Sequence, residues 1–291
     1  MRSSVLLATG PGFTLDAVTC VEDHRGWSAA EVNDRYRVVL VRRGTFRRKA
    51  DGRSVVADPT MAYLGVPGEE EHFAHPAGGD VCTSLSLSPR LWRVLAGEGA
   101  RTARSTIYVD ARLDLAHRRV LAAARGGDTD FAVAESLLPL IGAALAQDAD
   151  RSPKAAIHRP SATAGRPGAV AGRPGHATMR TSAAIVGAAR EAITAGHPAA
   201  GGLLSLAEFL EVSPYQLSRA FTRELGISLT HYRNRVRVGR ALDRLENGEP
   251  SLAVLAADLG FADQAHLTRT IRRHVGHTPT ALRRLLASRN P

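Results

Sequence analysis

A chain of 291 residues with 44% hydrophobic and 23% charged side chains can build two folded domains, each with its own core. This excludes a disordered or fibrous protein, and no apolar run approaches the roughly 20 residues of a membrane-spanning helix. With only a short apolar stretch near the start, too brief for a signal peptide, the expected setting is the cytoplasm, with no membrane partner.

The net charge of +10 is unevenly placed: residues 1–150 hold 18 Lys and Arg against 19 Asp and Glu, residues 151–180 hold 6 against none, and residues 181–291 hold 14 against 9. A near-neutral first half, tethered to a basic second half, puts contact with a polyanion beyond residue 150. In the first half, β-branched runs at 37–41, 55–56 and 81–87 alternate with Gly, Asp-Gly and Pro-Gly turns, the pattern of an antiparallel sandwich or barrel. Asp51-Gly52 is a hairpin signal. Two helices follow, at 110–125 with Leu113, Leu115, Val120 and Leu121, and at about 129–147 with Phe131, Val133, Leu137, Leu138, Leu140, Ile141 and Leu145. So much apolar surface must be covered, either by the barrel or by a second copy of the chain.

Residues 151–180 contain AGRPG twice and almost no large apolar side chains, so they cannot offset their ordering entropy and read as a flexible basic linker. Beyond the linker one motif occurs twice. LAEFLEVSPYQLSRAFTRELG, from Leu206, runs in step with LAADLGFADQAHLTRTIRRHVG, from Leu255, given one extra residue at or near Asp263. Each copy reads as helix, tight turn, helix. Ser213-Pro214 is an N-cap followed by a first-turn proline, and Gly226 and Gly276 suit left-handed C-caps. Leu217, Phe221 and Leu225 form one inward face, opposite Tyr215, Ser218, Arg219 and Thr222. Leu267, Ile271 and Val275 form the other, leaving Ala265, His266, Arg269, Arg272 and Arg273 outside. Between the copies, one helix from about 228 to 247 spans ~30 Å at 1.5 Å per residue. That is close to one turn of DNA, ~34 Å. A helix of that length suits a spacer between two recognition helices entering successive major grooves. One such pattern is weak, since exposed arginine is usually a solvated face; two in register on a basic segment point to double-stranded DNA.

Residues 181–291 resemble the DNA-binding domain of AraC/XylS-type transcriptional regulators, in the Gly-Phe pair 260–261, the Q-x-H-L-x-R core from Gln264, the Gly276 stop, Thr278-Pro279 and the upstream copy. The resemblance implies an all-α domain with two helix-turn-helix units. Its base-facing positions would be Tyr215, Gln216, Ser218 and Arg219 in the first unit and Gln264, Ala265, His266, Thr268 and Arg269 in the second. Arg269 and His266 are expected on base edges, Arg272 and Arg273 on phosphates. Ile271 stands where the family often has an aromatic, which bears on packing. The first half is similar to the cupin-like sensor domain that many such regulators carry, giving an α+β two-domain chain: 1–150 sensor and dimerisation, 151–180 linker, 181–291 DNA binding. A small-molecule effector, a homodimer and, for an activator, RNA polymerase are the implied partners.

Glu69, Glu70, Glu71, His72 and His75 raise the metal chemistry of cupin enzymes, but the spacing departs from the usual two-His, one-Glu, distant-His set, so they read as rim charges, with His75-Pro76 and Gly78-Gly79 shaping a loop at the barrel mouth. Cys20, His24, His75 and Cys82 offer a variant zinc set against the reading of the cysteines as buried thiols. The expectation is no metal and no cofactor, and no nucleophile-base pair, phosphate loop or carboxylate pair supports catalysis. The linker favours control through dimerisation or reach over rigid transmission. The rivals are a cupin-type metal enzyme or ligand-binding protein with a helical appendage, and a non-specific architectural DNA binder.

Overall fold

The structure, a computed structural model, describes residues 2–21, 24–97, 106–151 and 181–286. Apart from its first residue, the expected linker lies outside the described residues. The chain divides into two compact units, Met1–Asp150 with Leu229–Pro291, and Arg151–Ser228.

In the first unit, ten described strands form two antiparallel sheets. One has the order β1 (Arg2–Gly10), β2 (Phe13–Cys20), β9 (Asp80–Leu87), β4 (Tyr36–Arg43), β7 (Met61–Gly65), β10 (Thr106–Tyr108). The other has the order β3 (Glu31–Val32), β8 (Glu70–Ala74), β5 (Phe46–Ala50), β6 (Arg53–Ala57). The sheets close face to face on a core of Val18, Val39, Val41 and Tyr63 from the first and Phe46 and Phe73 from the second, a cupin-like barrel. Strand β4 shows why its run of apolar residues is unbroken. Val39 and Val41 point into the barrel, while Val38 and Leu40 point to the opposite face, which helices cover. Asp51 and Gly52 both have positive φ, 48° and 72°, as the two-residue turn joining β5 to β6 requires. No element is expected from sequence at residues 2–20, yet β1 and β2 pair there, β1 with most of its side chains exposed.

Three helices complete this part of the chain: α1 (Pro89–Ala96), between β9 and β10, then α2 (Ala111–Arg125) and α3 (Ala134–Arg151), the last preceded by a π turn at Thr129–Val133. Leu113, Val120 and Leu121 of α2 and Leu137, Leu140 and Ile141 of α3 pack with Leu15, Leu85 and Leu87 of the six-stranded sheet. Of the two covers considered for this hairpin, the barrel takes the inner stripe; Phe131 and Leu138 remain exposed.

The helix α2 has a second buried stripe, one turn apart at Ala111, Leu115 and Arg118. Ala111 and Leu115 join the core of α7 (Leu229–Glu246), α8 (Leu252–Asp258), α9 (Gln264–Val275) and α10 (Pro279–Leu286), with Leu242, Leu255, Leu267, Ile271 and Leu282. Arg118 donates to Asp114 at 2.9 Å, Asp243 at 2.8 Å and Glu246 at 2.7 Å. Arg235 of α7 donates to the carbonyls of Val109 at 2.8 Å and Pro59 at 3.2 Å and pairs with Asp114 at 3.1 Å. The helix α7 and the helices after it are thus packed on α2, in one compact unit with the barrel.

The second unit contains α4 (Ser182–Ala195), a 3₁₀ turn at Pro198–Gly201, α5 (Leu203–Phe209) and α6 (Pro214–Leu225). Ile185, Val186 and Ala189 of α4, Leu206 and Ala207 of α5, and Leu217 and Phe221 of α6 are buried.

Candidate nucleic-acid interface and barrel cavity

In the first helix-turn-helix, α5 ends at Leu210 and the chain turns through Glu211, whose φ of 54° is left-handed. Gly260 occupies the same place in the second, with φ 69°. The helix α6 then starts on a reciprocal cap: the Ser213 hydroxyl accepts from the Gln216 N–H at 3.1 Å, and the Gln216 side-chain oxygen accepts from the Ser213 N–H at 2.9 Å. Asp263 does the same work for α9, accepting from the His266 N–H at 2.6 Å. Gly226 and Gly276 end the two helices with φ 67° and 85°. The one-residue difference between the copies falls at Ala262, just before Asp263; buried Phe261 takes the place of Val212, each N–H bonding the carbonyl five residues back.

Leu217, Phe221 and Leu225, and Leu267, Ile271 and Val275, are buried, so the opposite faces are set. Tyr215, Gln216, Ser218, Arg219 and Thr222 are exposed on α6, as are Gln264, Ala265, Arg269, Arg272 and Arg273 on α9; His266 and Thr268 are half-buried. Arg219 is held over the Tyr215 ring at 5.3 Å and donates to its hydroxyl at 3.2 Å. His266 lies edge-on to Phe261 at 5.4 Å and accepts at Nδ1 from the Ala262 N–H at 3.4 Å. Its Nε2–H is thus the end left to donate. Ile271, where an aromatic was the family norm, is fully buried, consistent with a packing role.

Sequence reading does not single out Arg237. From α7 it donates to the Leu259 carbonyl at 2.8 Å and stacks over Phe261 at 3.7 Å, fixing the turn before α9. Its only sequence signal is an arginine on the apolar stripe of a helix. His274 adds nothing to the positive face: burial, then neighbouring His231, push it down to about 4.

The barrel holds a cavity of about 280 Å³ lined by the apolar Val18, Val39, Phe46, Tyr63 and Phe73 and by Cys20, His24, His75, Asp80 and Cys82. The rim reading of the acidic and histidine cluster is corrected at two residues. Glu71 is 1% exposed, paired with Arg37 and, at 2.6 Å, with Arg48, which also reaches Glu69 at 2.5 Å. His75 is 6% exposed and part of the cavity wall. Burial without these arginines would cost a carboxylate several kcal/mol, and partners over 20 positions away are invisible in a local pattern. His72 is half-buried, its Nδ1 2.9 Å from the Ser28 carbonyl. Both cysteines are free thiols, Cys82 buried and Cys20 half-buried.

Each of the two capped helix-turn-helix units has an apolar face inward and a polar, cationic face outward, the form of a unit that enters a DNA major groove. Residues 206–285 match the family described as "Helix-turn-helix domain". Over 81 residues the chain is 30% identical to the arabinose operon regulatory protein of Escherichia coli (strain K12), covering 28% of this chain and 28% of that one. Over 79 residues it is 40% identical to the HTH-type transcriptional regulator RipA of Corynebacterium glutamicum, covering 26% and 24%. The chain thus spans under a third of the length of these relatives. The crystal structure of ToxT from Vibrio cholerae O395 aligns over 94% of this chain and 98% of its own, at 10% identity and a TM-score of 0.37.

Proposed function

We propose that the protein is a cytoplasmic, sequence-specific DNA-binding transcription regulator whose barrel senses a small molecule. The observation that carries the reading is the repeated recognition helix: α6 and α9 start on side-chain caps and present Tyr215, Gln216, Ser218, Arg219 and Thr222, and Gln264, Ala265, His266, Thr268, Arg269, Arg272 and Arg273, away from their cores. Arg269 and His266 read base edges, Arg269 because its planar fork matches guanine O6 and N7. Arg272 and Arg273, in the last turn of α9, clamp phosphates.

The cavity supports effector control by contiguity. Alternate residues of β2, β4 and β9 face the cavity and the α2–α3 layer, and α2 packs in turn against α7 and α9. A ligand that favours one arrangement of this stack shifts the population competent to bind DNA. Exposed Phe131 and Leu138 support homodimerisation through α3. For an activator, RNA polymerase is the further partner. No cofactor and no catalytic step enter this reading.

Selection of bound duplexes from a random pool, followed by binding measured against salt, tests it. The expected result is one enriched sequence, bound at least a thousandfold over random duplex, as specific regulators bind. Equal affinity for all sequences would establish the architectural binder instead. Turnover of a small substrate by the purified chain, without duplex binding, would establish the cupin-type enzyme.

A further inference from the structure

The polar side of the barrel cavity carries donor atoms that DNA binding leaves unused. Cys20 closes β2, Asp80 opens β9, and the two are direct partners across the strands, so their side chains share a face. His75, just past β8, enters from the opposite sheet, its N–H donating to the His24 carbonyl at 2.9 Å. Gly79 allows this convergence: a Cβ there would meet the Cys20 carbonyl oxygen at 2.3 Å. One ligand atom from each of Cys20, His75 and Asp80 then lies within 4.8 Å of the other two.

A chain of contacts runs from His24 through His75 to Asp80. His24 Nδ1 is 3.2 Å from the Gly26 carbonyl, which only accepts, so Nδ1 carries the hydrogen. His24 Nε2 is 2.9 Å from His75 Nδ1. The other ring nitrogen of His75, Nε2, faces Asp80 Oδ1 at 3.0 Å. Beyond this contact that oxygen, which is buried, has no hydrogen-bond partner among the described residues, whereas Oδ2 accepts from the Cys82 thiol at 2.8 Å. A buried carboxylate oxygen, an imidazole nitrogen and a sulfur thus converge at the cavity wall, a mixed donor set of the kind that holds a cation.

We propose that the barrel binds a divalent ion of the zinc class through Cys20 Sγ, His75 Nε2 and Asp80 Oδ1. Mixed sulfur, nitrogen and oxygen donors suit zinc and disfavour magnesium and calcium, which take oxygen alone. Tetrahedral bonds of about 2.0–2.3 Å place ligand atoms roughly 3.4–3.8 Å apart, so binding parts His75 Nε2 and Asp80 Oδ1 slightly from their 3.0 Å and brings Cys20 Sγ closer to both. Cys20 binds as the thiolate, its proton leaving to solvent as the sulfur–metal bond forms. Three protein ligands leave a fourth position facing the cavity. His24 is a positioning residue, holding His75 in the tautomer that coordinates. The inference stands whether or not the chain binds DNA.

The test is a titration of the chelator-treated full chain with Co²⁺, then Zn²⁺. The expected result is one Co²⁺ per chain, a near-ultraviolet sulfur-to-cobalt charge-transfer band and the intense visible bands of a four-coordinate ion, all bleached by one equivalent of Zn²⁺. Cys20→Ser removes the charge-transfer band and Cys82→Ser keeps it. Asp80→Asn weakens Zn²⁺ binding at least tenfold. His24→Gln weakens it about 10–100-fold, with its unfolding midpoint in chelator unchanged. Should Cys20→Ser not fold, alkylation of the unaltered chain decides: Zn²⁺ protects Cys20 from iodoacetamide. Failure to take up Co²⁺ or Zn²⁺, a charge-transfer band that survives Cys20→Ser, or Cys20 alkylated equally with and without Zn²⁺ would overturn the proposal.

Discussion

Arg269 and Arg272 stand three positions apart on α9, both exposed, and the proposed reading gives them different work. Replacing Arg269 by alanine is expected to cost about 1–3 kcal/mol of discrimination at one base pair while leaving affinity for other sequences nearly level. Arg272→Ala should weaken every duplex alike and reduce the slope of log affinity against log salt by about one. Fluorescence anisotropy on the selected site and its single base-pair variants, at several salt concentrations, separates the two. A uniform loss from Arg269→Ala would move that residue to the phosphates. In the same proposed reading, His266 is a narrower reader than its residue type suggests. With Nδ1 engaged by the Ala262 N–H, it is left to donate and so favours an acceptor on the base edge.

Caps decide where α6 and α9 begin, and hence which side chains are outermost. Ser213→Ala and Asp263→Ala are each expected to destabilise by about 0.5–2 kcal/mol. Denaturant unfolding measures the loss, and a change under 0.3 kcal/mol would mean that solvent replaces the cap. The helix-turn-helix units were legible because their signals are local: a cap, a stop glycine and apolar residues three and four apart lie within one stretch of chain, and the second copy confirms the first. The strand β4 was legible for the same reason, as was the Asp51-Gly52 turn. What was not legible depends on partners far along the chain. Glu71 reads as a solvated charge until Arg48 and Arg37 arrive from other strands, 23 and 34 positions away. Asp80 follows two glycines like any turn residue, and only its pairing with Cys20 makes it part of the cavity group. The strand β1 has little alternation to find, because most of its side chains are exposed on both faces.

At the scale of the molecule, the shared helix α2 ties the barrel to the second helix-turn-helix. Arg118 is the centre of that junction, 5% exposed at its side chain. Arg118→Ala removes the buried cation that Asp114 and Glu246 share, leaving Arg235 to the one and Arg42 and Arg125 to the other, and should destabilise by about 3 kcal/mol. Asp243→Ala, removing a partner that is 49% exposed, should cost under about 1 kcal/mol. Calorimetry on both variants checks the contrast. The junction also sets a pH response. Burial, then Arg42, push His117 down to about 3 from an ordinary 6.5. As pH falls below 6.5 the unfolded chain takes up this proton and the folded chain does not, so stability drops between about pH 6.5 and pH 3. Burial alone would raise Asp114 and Glu246, yet their arginines hold both below the ordinary carboxylate range. Their contribution is present above that range and lost as pH falls through the lowered values, adding to the decline at its acid end. His117→Gln is expected to flatten the stability profile between pH 7 and pH 5; an unchanged slope would assign the decline to other groups.

The two stripes of α2 also bear on how the molecule is made. During synthesis the barrel can close on Leu113, Val120 and Leu121 while the stripe of Ala111, Leu115 and Arg118 faces solvent. That stripe is not covered until α7 emerges from the ribosome, Asp243 trailing Arg118 by 125 positions. The nascent barrel thus carries an apolar and charged scar that only the last helices heal, and a prematurely terminated chain would expose it to aggregation and proteolysis.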